Sequence, residues 1–574
     1  MLDIGIFRGR LRLSFKGLLF CLAAIFMVVG LGCPLRAGEK VEGQMANRPS
    51  PGRMITTAVM GTWPVLLHPL RGGEWGHNIV RSYVNRALFQ QVNDDVICVF
   101  CVSAPSEKNY TLRSEKTSDG HDVTVATYEI RPDARWGDGE PITSADLVFS
   151  FEVMDVNRDK IFINNTKMDS IIKITQITDK KFSIIQRGVI CSDRLAMPPL
   201  IPSHLEKEIW DKSHNNYFDN SLYIRQPNNP GLYNGPFLVL GIDEGLLHLK
   251  RNNFWIGRKP YFERVDVYAP RDQDGLNQIV RSKRVDNFTT LMFSMGQNIV
   301  RDFKDIYNPY YAPSDYLVHL KVNFNNIILS DVRVRKALLL GIDRDGLLDK
   351  ILDGKGIVAQ GLLNPFMPGY VAVSRYPYST KKAEQWLDES GWLRGNDGLR
   401  YNAAGEPLKF ELRYRRYYPW VDLAPSLAAA WRKLGITVNL VEDPDLSGDA
   451  LDSRQRYTGL VGFAQNFDQD WDTVRLWYHS SMIPRQGNGW QGSNHFGIDS
   501  PDLDRALDKL ATARCSRDLR QAAMADIQRA YADGLPTLPI WFGTVLTLSD
   551  KRLSDTVDAQ TFSAAPIENW RLRD

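Results

Sequence analysis

Side chains that could act as nucleophiles or proton carriers are present in this sequence, but their spacing builds no familiar catalytic arrangement. The nine histidines are scattered singly along the chain. A serine hydrolase of the common kind shows a Gly-x-Ser-x-Gly elbow, and a zinc protease shows His-Glu-x-x-His on a helix. The sequence contains neither pattern. We therefore expect a protein that is not an enzyme, with a secreted hydrolase as the catalytic alternative.

Two further patterns have the residue spacing of a cofactor or metal motif but lack the sequence context that such a motif requires. The glycines of Gly487–Gly492 have the dinucleotide-binding spacing, but they lie in a polar loop, GNGWQGSNH, without a strand before it or a helix after it. Asp468, Asp470 and Asp472 begin like a calcium-binding loop, yet the twelfth position of such a loop would be His479 instead of glutamate. No cofactor and no metal are expected.

Cysteine spacing offers a third kind of chemistry. Cys98 and Cys101 have two residues between them, as in a redox pair, half of a metal site or a local disulfide. No second CxxC or HxxxH pair completes a zinc site, and Val99-Phe100 between the thiols is typical of a buried strand. If the protein is exported, we expect either an oxidised Cys98–Cys101 loop or a bridge from one of the two to Cys191.

The N-terminus predicts export. Basic residues up to Lys16 precede an apolar run over 17–32 and small residues before a cleavage site after Ala37, which is the order of a signal peptide. The run is shorter than the ~20 residues of a spanning helix, which disfavours a membrane anchor. Lipidation of Cys33 is an alternative, although Gly30-Leu31-Gly32 has its large residue one place off the usual pattern. We expect a periplasmic location or the extracytoplasmic membrane surface.

Charge and length exclude some classes of protein. The net charge is +3, and residues 1–37 carry five basic residues and one acid, so the remaining chain has a net charge of −1. Such a chain lacks the basic footprint of a nucleic-acid-binding protein. Its 574 residues exceed what one hydrophobic core usually supports, so two or three domains are expected.

The residues from Tyr128 to Phe151 predict a strand, a tight turn and an amphipathic helix. Alternating apolar residues lead into Gly137–Pro141, which supplies the backbone conformations of a turn. Thr143 or Ser144 can cap the following helix, and Asp146 lies in its first turn, where the helix dipole favours an acid.

The second half of the chain alternates between helix and strand. Leu427–Leu434 has helical spacing, Gly435 ends it, and Ile436–Val441 has the alternation of a strand, which is typical of a βαβ unit and of an α/β fold. Asp331 can cap a helix that carries Arg335 near its N-terminal end. Because a cation opposes the helix dipole there, we expect Arg335 to have a carboxylate partner.

Three blocks of sequence resemble the signatures of the family-5 extracellular solute-binding proteins, the peptide- and nickel-binding receptors of bacterial ABC importers. The first is Trp136-x-Asp-Gly-Glu-Pro141 followed by Ala145-Asp-x-Val-x-Ser-Phe151. The second extends over 234–261, and the third over 323–344 with Asp331-Val-Arg-Val-Arg335 inside it.

The resemblance implies an α/β protein of the periplasmic-binding-protein type II fold, with two lobes around a ligand cleft and an extra domain inserted in the first lobe. The implied domains are a signal peptide, two parts of lobe 1 with an inserted domain between them, lobe 2, and a return to lobe 1. Their bounds are 1–37, 38–90, 91–228, 229–325, 326–540 and 541–574.

The resemblance also implies a cleft segment at Gly462–Asp468. Phe463, Asn466 and Phe467 stand where the family commonly has Trp, Asp and Tyr, and in peptide-binding members that Asp pairs with the ammonium of the peptide. A neutral amide at this position means either that another acid replaces it or that the ligand has no free amine. The full set of expected ligand-binding residues is Thr62, Trp63, Phe463, Asn466, Phe467, Asp468, Asp470, Trp471 and Trp490.

The expected function is that of the extracytoplasmic substrate-binding protein of an ABC transporter. It would act as a monomer, capture peptides between its lobes, and deliver them to a membrane permease, with hinge strands near 232–238 and 320–326. An oligosaccharide or other non-peptide solute is the alternative ligand.

Overall fold

The computed structural model describes residues 53–573 with gaps. The residues outside the description are 1–52, 60–66, 72–74, 93–94, 159–160, 162–165, 244, 283–284, 291–292, 368, 418, 447–452, 467–470, 514, 558–564 and 574. The predicted signal peptide and Cys33 lie outside it. None of the described helices combines the length and the apolar character needed to cross a membrane.

The described chain contains 21 strands and 17 α-helices. The strands are β1 Met54–Ala58, β2 Phe89–Val92, β3 Asp95–Cys98, β4 Leu112–Lys116, β5 Asp122–Glu129, β6 Ile171–Thr178, β7 Lys181–Arg187, β8 Phe237–Asp243, β9 Leu246–Arg251, β10 Arg264–Tyr268, β11 Asn287–Thr290, β12 Tyr307–Val322, β13 Ile357–Val358, β14 Leu393–Arg394, β15 Arg400–Tyr401, β16 Lys409–Tyr414, β17 Thr437–Glu442, β18 Leu460–Asn466, β19 Thr537–Asp550, β20 Leu553–Ser554 and β21 Arg571–Leu572. The helices are α1 Trp75–Val84, α2 Ser144–Val156, α3 Thr166–Asp169, α4 Ser203–Lys212, α5 Tyr217–Asn220, α6 Leu222–Arg225, α7 Gln273–Ser282, α8 Phe293–Asp302, α9 Ile327–Ser330, α10 Val332–Leu340, α11 Arg344–Leu352, α12 Thr380–Glu389, α13 Trp420–Lys433, α14 Ser453–Arg456, α15 Trp471–Tyr478, α16 Pro501–Thr512 and α17 Arg517–Gly534.

One mixed sheet of 11 strands runs through the molecule, in the order β17-β16-β18-β12-β19-β11-β1-β10-β9-β8, with β13 paired to β19 off this path. The pairing of β16 with β17 is parallel, and α13 connects them. This confirms the predicted βαβ unit. A separate four-stranded sheet, β4-β5-β7-β6, is formed within the segment predicted as the inserted domain.

Separate hydrophobic cores divide the sheet between two lobes. Two of the cores use residues 55–307 and 546–570, and we call this part the first lobe. Two others use residues 317–542, which form the second lobe. The predicted two-lobed α/β fold is therefore confirmed. The four-stranded sheet contributes to the same continuous core as the rest of the first lobe.

The strands β12 and β19 pass from one lobe into the other side by side. Tyr307 of β12 packs in a first-lobe core and Leu320 in a second-lobe core. Their antiparallel pairing is interrupted between Pro313 and Leu317, where the register shifts. The Ser314 hydroxyl donates to the Gly543 carbonyl oxygen at 3.0 Å across this irregularity. The lobes are thus joined by two paired strands with a bulge at the crossing.

The hinge segments predicted at 232–238 and 320–326 do not coincide with this crossing. Leu232 and Phe237 belong to one first-lobe core, and Leu320 and Val322 belong to one second-lobe core. The sequence did not show that each segment packs within a single lobe. Turn residues and apolar alternation occur in such a segment and also in a strand that connects two lobes.

The first signature block is a structural network. The Asp146 carboxylate accepts hydrogen bonds from the Trp136 indole at 3.1 Å, the Thr143 backbone N–H at 2.9 Å, and the Ser203 N–H and hydroxyl at 2.8 and 2.6 Å. A Cβ atom on Gly137 would lie 2.3 Å from Leu238. The buried Asp146 carboxylate needs these hydrogen-bond donors, because an unpaired buried acid is costly. The turn needs glycine at position 137, because Leu238 occupies the space of a side chain there.

The prediction of a carboxylate partner for Arg335 holds only in part: the charge of Asp331 acts on it, but no described carboxylate is hydrogen-bonded to it. Among the described residues, its buried guanidinium donates to backbone carbonyl oxygens, those of Leu329, Ser330, Gly534 and Leu535, at 2.7–2.9 Å. Burial lowers the pKa of Arg335 to about 10. The cation joins the start of α10 to the end of α17, so its role is to satisfy helix-end carbonyls. The predicted cap is confirmed, since Asp331 accepts from the Arg333 N–H at 2.8 Å.

Two disulfides are present in the described chain. Cys98 is bonded to Cys101, which confirms the predicted local bridge. The alternative bridge from that pair to Cys191 is wrong, because Cys191 is bonded to Cys515. These two cysteines are separated by 324 positions, and no local pattern in the sequence connects them.

Candidate functional site

The predicted cleft segment lies on β18, next to the strand that crosses between the lobes. β18 pairs antiparallel with β12 from Val322 opposite Leu460 to Tyr316 opposite Asn466. Its C-terminal end therefore lies beside the crossing bulge. The position of Asn466 in the strand is described, but its side chain is not. Phe467, Asp468 and Asp470, like Thr62 and Trp63, lie outside the described residues.

Phe463 lies on one face of the sheet with two polar residues of β12. It is opposite His319 in the strand register, and the two rings are 6.1 Å apart in an edge-on arrangement. The Lys321 ammonium lies 3.7 Å from the centroid of the Phe463 ring and 5.6 Å from that of Phe496. This geometry is that of a cation held over aromatic faces, which stabilises a partly buried ammonium.

His319 is fully buried and belongs to a chain of polar groups. Its Nδ1 is 2.9 Å from the Thr537 hydroxyl, which is also hydrogen-bonded to the Tyr531 hydroxyl. Burial, assisted by the positive charge of Lys321, lowers the pKa of His319 to about 3. The imidazole is thus neutral over the physiological pH range, and it serves as a hydrogen-bonding group without charge.

A narrow pocket adjoins this face of the second lobe. It is lined by Lys321, Gln465, Trp477, Tyr478, Asn494 and Phe496, among others. The lining mixes aromatic rings with amide and ammonium donors, and the cavity of about 20 Å³ has room for a water molecule. His319 and Lys321 were missed in the sequence. Their signal was polar residues at alternate positions of the apolar run Leu317–Val322.

The two tryptophans expected in the site have different environments. Trp471, the first residue of α15, is buried in a second-lobe core together with Val474 and Tyr478. Trp490 is 51 % exposed and has a φ of 62°, so its ring stands at the surface. Their roles as ligand contacts remain predictions.

One group of side chains in the described chain has the composition of a metal site. Ligand atoms of Glu152, Asp211 and His214 lie within 4.8 Å of one another on the first lobe. The Lys207 ammonium is 3.0 Å from Asp211 and 3.8 Å from Glu152, so a cation already balances both acids. The Glu152 carboxylate also accepts from the Trp210 indole at 2.9 Å. These contacts account for the cluster as an ion-pair network.

Comparison with known proteins identifies the class and the family. The two-lobed fold, with a polar and aromatic site beside the crossing strands, defines a protein that binds a solute between its lobes. Residues 113–484 match the model of the bacterial extracellular solute-binding proteins, family 5. Because the match covers more than half of the chain, the protein belongs to this family.

Individual relatives are similar over nearly the whole chain. The oligopeptide-binding protein OppA of Bacillus subtilis is 20 % identical over 560 residues, which covers 93 % of this chain and 96 % of OppA. The oligopeptide-binding protein of Thermus thermophilus, solved with a pentapeptide, has a TM-score of 0.65 at 21 % identity and covers 90 % of this chain and 95 % of its own. NikZ of Campylobacter jejuni, solved with Ni(L-His), has a TM-score of 0.66 at 19 % identity, covering 91 % of this chain and 100 % of its own.

Proposed function

We propose that this protein captures peptides between its two lobes outside the cytoplasm and delivers them to the membrane permease of an ABC importer. One observation carries the proposal. The arrangement of two cores joined by β12 and β19 matches, over 90 % of this chain, a relative whose structure holds a pentapeptide. The family consists of extracellular binding proteins, and the proposal adds the ligand and the transporter.

The chemistry of the site suits an extended ligand. A peptide can obtain most of its affinity from main-chain hydrogen bonds, which do not depend on its side chains. Side-chain preference would then depend on the groups beside the bound main chain, such as Lys321 and Trp477. To shift the lobes from mostly open to mostly closed, the ligand must bind the closed form more tightly by about 5.5 kcal/mol.

The N-terminus of the peptide requires a negative partner that Asn466 does not provide. We assign this role to Asp468 or Asp470, which follow it in the same segment. A charge-assisted hydrogen bond is worth roughly 1 kcal/mol more than a neutral one, which is about fivefold in affinity. Asp468→Asn should therefore weaken free-amine peptides by about fivefold and leave N-acetylated peptides unaffected, as measured by titration calorimetry.

Two controls accompany this measurement. Asp470→Asn distinguishes the two acids, and Asp119→Asn removes a charge from a side chain that is 67 % exposed, far along the chain from the segment. If both cleft variants bind free and acetylated peptides as the unsubstituted protein does, there is no ammonium partner in this segment.

A non-peptide solute is the second candidate ligand. It is favoured by the neutral amide at Asn466, because such a ligand needs no acid there. Native mass spectrometry of the purified protein separates the two possibilities. A ladder of bound masses spaced by amino-acid residues supports peptides, whereas a single discrete mass or a series of sugar units contradicts the proposal.

The mature form is part of the proposal. We infer export by residues 1–37, with either cleavage after Ala37 or acylation of Cys33, and a monomer as the working unit. The intact mass of the exported chain distinguishes a start at Gly38 from an acylated Cys33, and light scattering gives the oligomeric state. A mass that retains the first 37 residues would contradict export by cleavage.

A further inference from the structure

The Cys191–Cys515 disulfide joins residues that belong to different lobes. Cys191 is buried and immediately precedes the short 3-10 turn Ser192–Arg194. The next residues, Leu195–Met197, pack in a first-lobe core. Cys515 lies between α16 and α17. Leu510 and Ala523 of these helices pack in a second-lobe core.

This bond is a covalent connection in addition to those of the backbone. The chain passes from the first lobe to the second through β12 and returns through β19, and these strands are neighbours in the sheet. Two adjacent strands with a bulge form one hinge, about which a lobe can rotate in more than one direction. A third covalent link between the lobes removes some of these rotations.

The permitted movement at the third link is small. The two Cα atoms are 5.2 Å apart. Disulfides in proteins hold this distance between roughly 4.4 and 6.8 Å, so the lobes cannot separate at this point by more than about 2 Å. A rotation about the line from the strand bulge to the disulfide leaves this distance unchanged, so it is the least restricted one.

We propose that the Cys191–Cys515 disulfide is an inter-lobe tether that limits how far the two lobes open and sets the direction of their motion. With the bond intact, ligand entry and release proceed through this restricted rotation. Without it, the lobes reach wider separations about the bulge in β12 and β19, and ligand exchange becomes faster.

The chain contains a matched control for this idea. Both ends of the Cys98–Cys101 disulfide lie in the first lobe, where Cys101 is part of a core and Cys98 packs against it. Its loop closes over only three positions of sequence. Removing it takes one disulfide from the chain without releasing one lobe from the other.

The first test needs no ligand. The exported, oxidised chain is compared by small-angle X-ray scattering with Cys191→Ser/Cys515→Ser and with Cys98→Ser/Cys101→Ser. We expect an increased radius of gyration and a broader distance distribution for the first double variant alone. Equal profiles for all three proteins would overturn the proposal. So would peptide mapping under non-reducing conditions that finds Cys191 and Cys515 unbonded in the native chain.

A second measurement covers the case in which the serine variant folds poorly. In the Cys98→Ser/Cys101→Ser background, a phosphine reductant can cleave only the Cys191–Cys515 bond of the folded protein. The scattering profile should widen on reduction and return on reoxidation, with unchanged circular dichroism. A profile that does not change when the thiols are shown to be free contradicts the tether.

Exchange kinetics test the consequence and rest on the peptide binding proposed above. For a fluorescent pentapeptide, we expect the dissociation rate to increase at least severalfold when the tether is absent, and to stay unchanged in the Cys98/Cys101 variant. Unchanged dissociation together with a widened scattering profile would overturn the kinetic part of the proposal. A chain whose lobes widen but which binds no peptide would contradict the proposed function and leave the tether supported.

Discussion

At the scale of single residues, the buried imidazoles have the largest consequence for the protein's behaviour. His319 and His68 are both almost fully buried, and burial lowers the pKa of each from 6.5 to about 3. In the unfolded chain each imidazole takes up a proton below about pH 6.5, whereas in the folded chain it does not. The unfolded state therefore binds more protons, and stability falls as the pH decreases from about 6.5 towards 3.

The contribution of His319 to this acid sensitivity can be isolated. One proton difference corresponds to about 1.4 kcal/mol per pH unit. Between about pH 6 and pH 4, the unfolding free energy of His319→Gln should fall less steeply than that of the unsubstituted protein by about this amount. Urea unfolding at several pH values provides the measurement. The unsubstituted protein measured in parallel is the reference, and equal slopes for the two proteins would contradict the prediction.

Residue identity alone predicted part of the candidate site. The cleft segment was predicted because Phe463 and its neighbours stand at the positions of the family's pattern, and the structure places His319 and Lys321 on the adjoining strand. These two could not be assigned from the sequence, because alternate positions in a strand show only that residues share a face. Which face adjoins β18 depends on the pairing of two strands that are far apart in the sequence.

At the scale of elements, β18 illustrates how close packing constrains a strand of the candidate site. Gly462 stands opposite Leu320 of β12, and a Cβ atom at this position would lie 2.7 Å from the Trp420 ring. Trp420 begins α13 and is fully buried in the second lobe. The absent side chain lets the helix pack directly on the strand that carries Phe463 and Asn466.

Gly462→Ala should therefore destabilise the second lobe. An added methyl group forces the Trp420 ring or the strand to move, at a cost of about 1–3 kcal/mol. Urea unfolding followed by tryptophan fluorescence measures the loss. Gly241→Ala is a matched strand control, since nothing lies within 4 Å of its Cβ position. Equal stability of the two variants would show that α13 adjusts without cost.

Local patterns predicted these elements well, because their determinants are near in sequence. The helix that begins after Thr143 and the β16–α13–β17 unit were both recognisable from caps, glycines and alternation. The acceptors of Arg335 could not be recognised in this way, because its four carbonyl acceptors come from two helix ends about 200 positions apart. The charge pattern indicates that the Arg335 cation needs a partner. The fold is needed to identify the groups that serve as its partners.

At the scale of the whole molecule, separate cores imply that the lobes have separate local stabilities. Trp210 in the first lobe and Trp431 in the second are both fully buried, and each indole donates one hydrogen bond of 2.9 Å, to Glu152 and to the Leu338 carbonyl oxygen. Replacing Trp210 or Trp431 therefore removes the same kind of buried, hydrogen-bonded indole from one lobe at a time and lowers the stability of that lobe.

Trp210→Phe and Trp431→Phe should each loosen only their own lobe. Losing buried ring volume and one hydrogen bond costs about 2 kcal/mol or more in each variant. Native-state hydrogen exchange should show faster exchange in β16 and β17 for Trp431→Phe, and in β5 and β7 for Trp210→Phe. If either variant accelerates exchange equally in both lobes, the sheet transmits stability across the crossing and the lobes are one cooperative unit.

The order in which the chain is made matters for a molecule with this connectivity. The second lobe is one uninterrupted stretch, whereas the first lobe is completed by the C-terminal residues: Trp570 packs against Tyr83, and Glu568 forms a buried ion pair with Arg86 at 2.8 Å. During synthesis or passage across a membrane, the N-terminal part of the first lobe emerges early. It cannot complete its folding until the C-terminal residues that pack on it have also emerged. The second lobe is inserted within the first and can fold before it. A chaperone that prevents aggregation would therefore bind the incompletely folded first lobe.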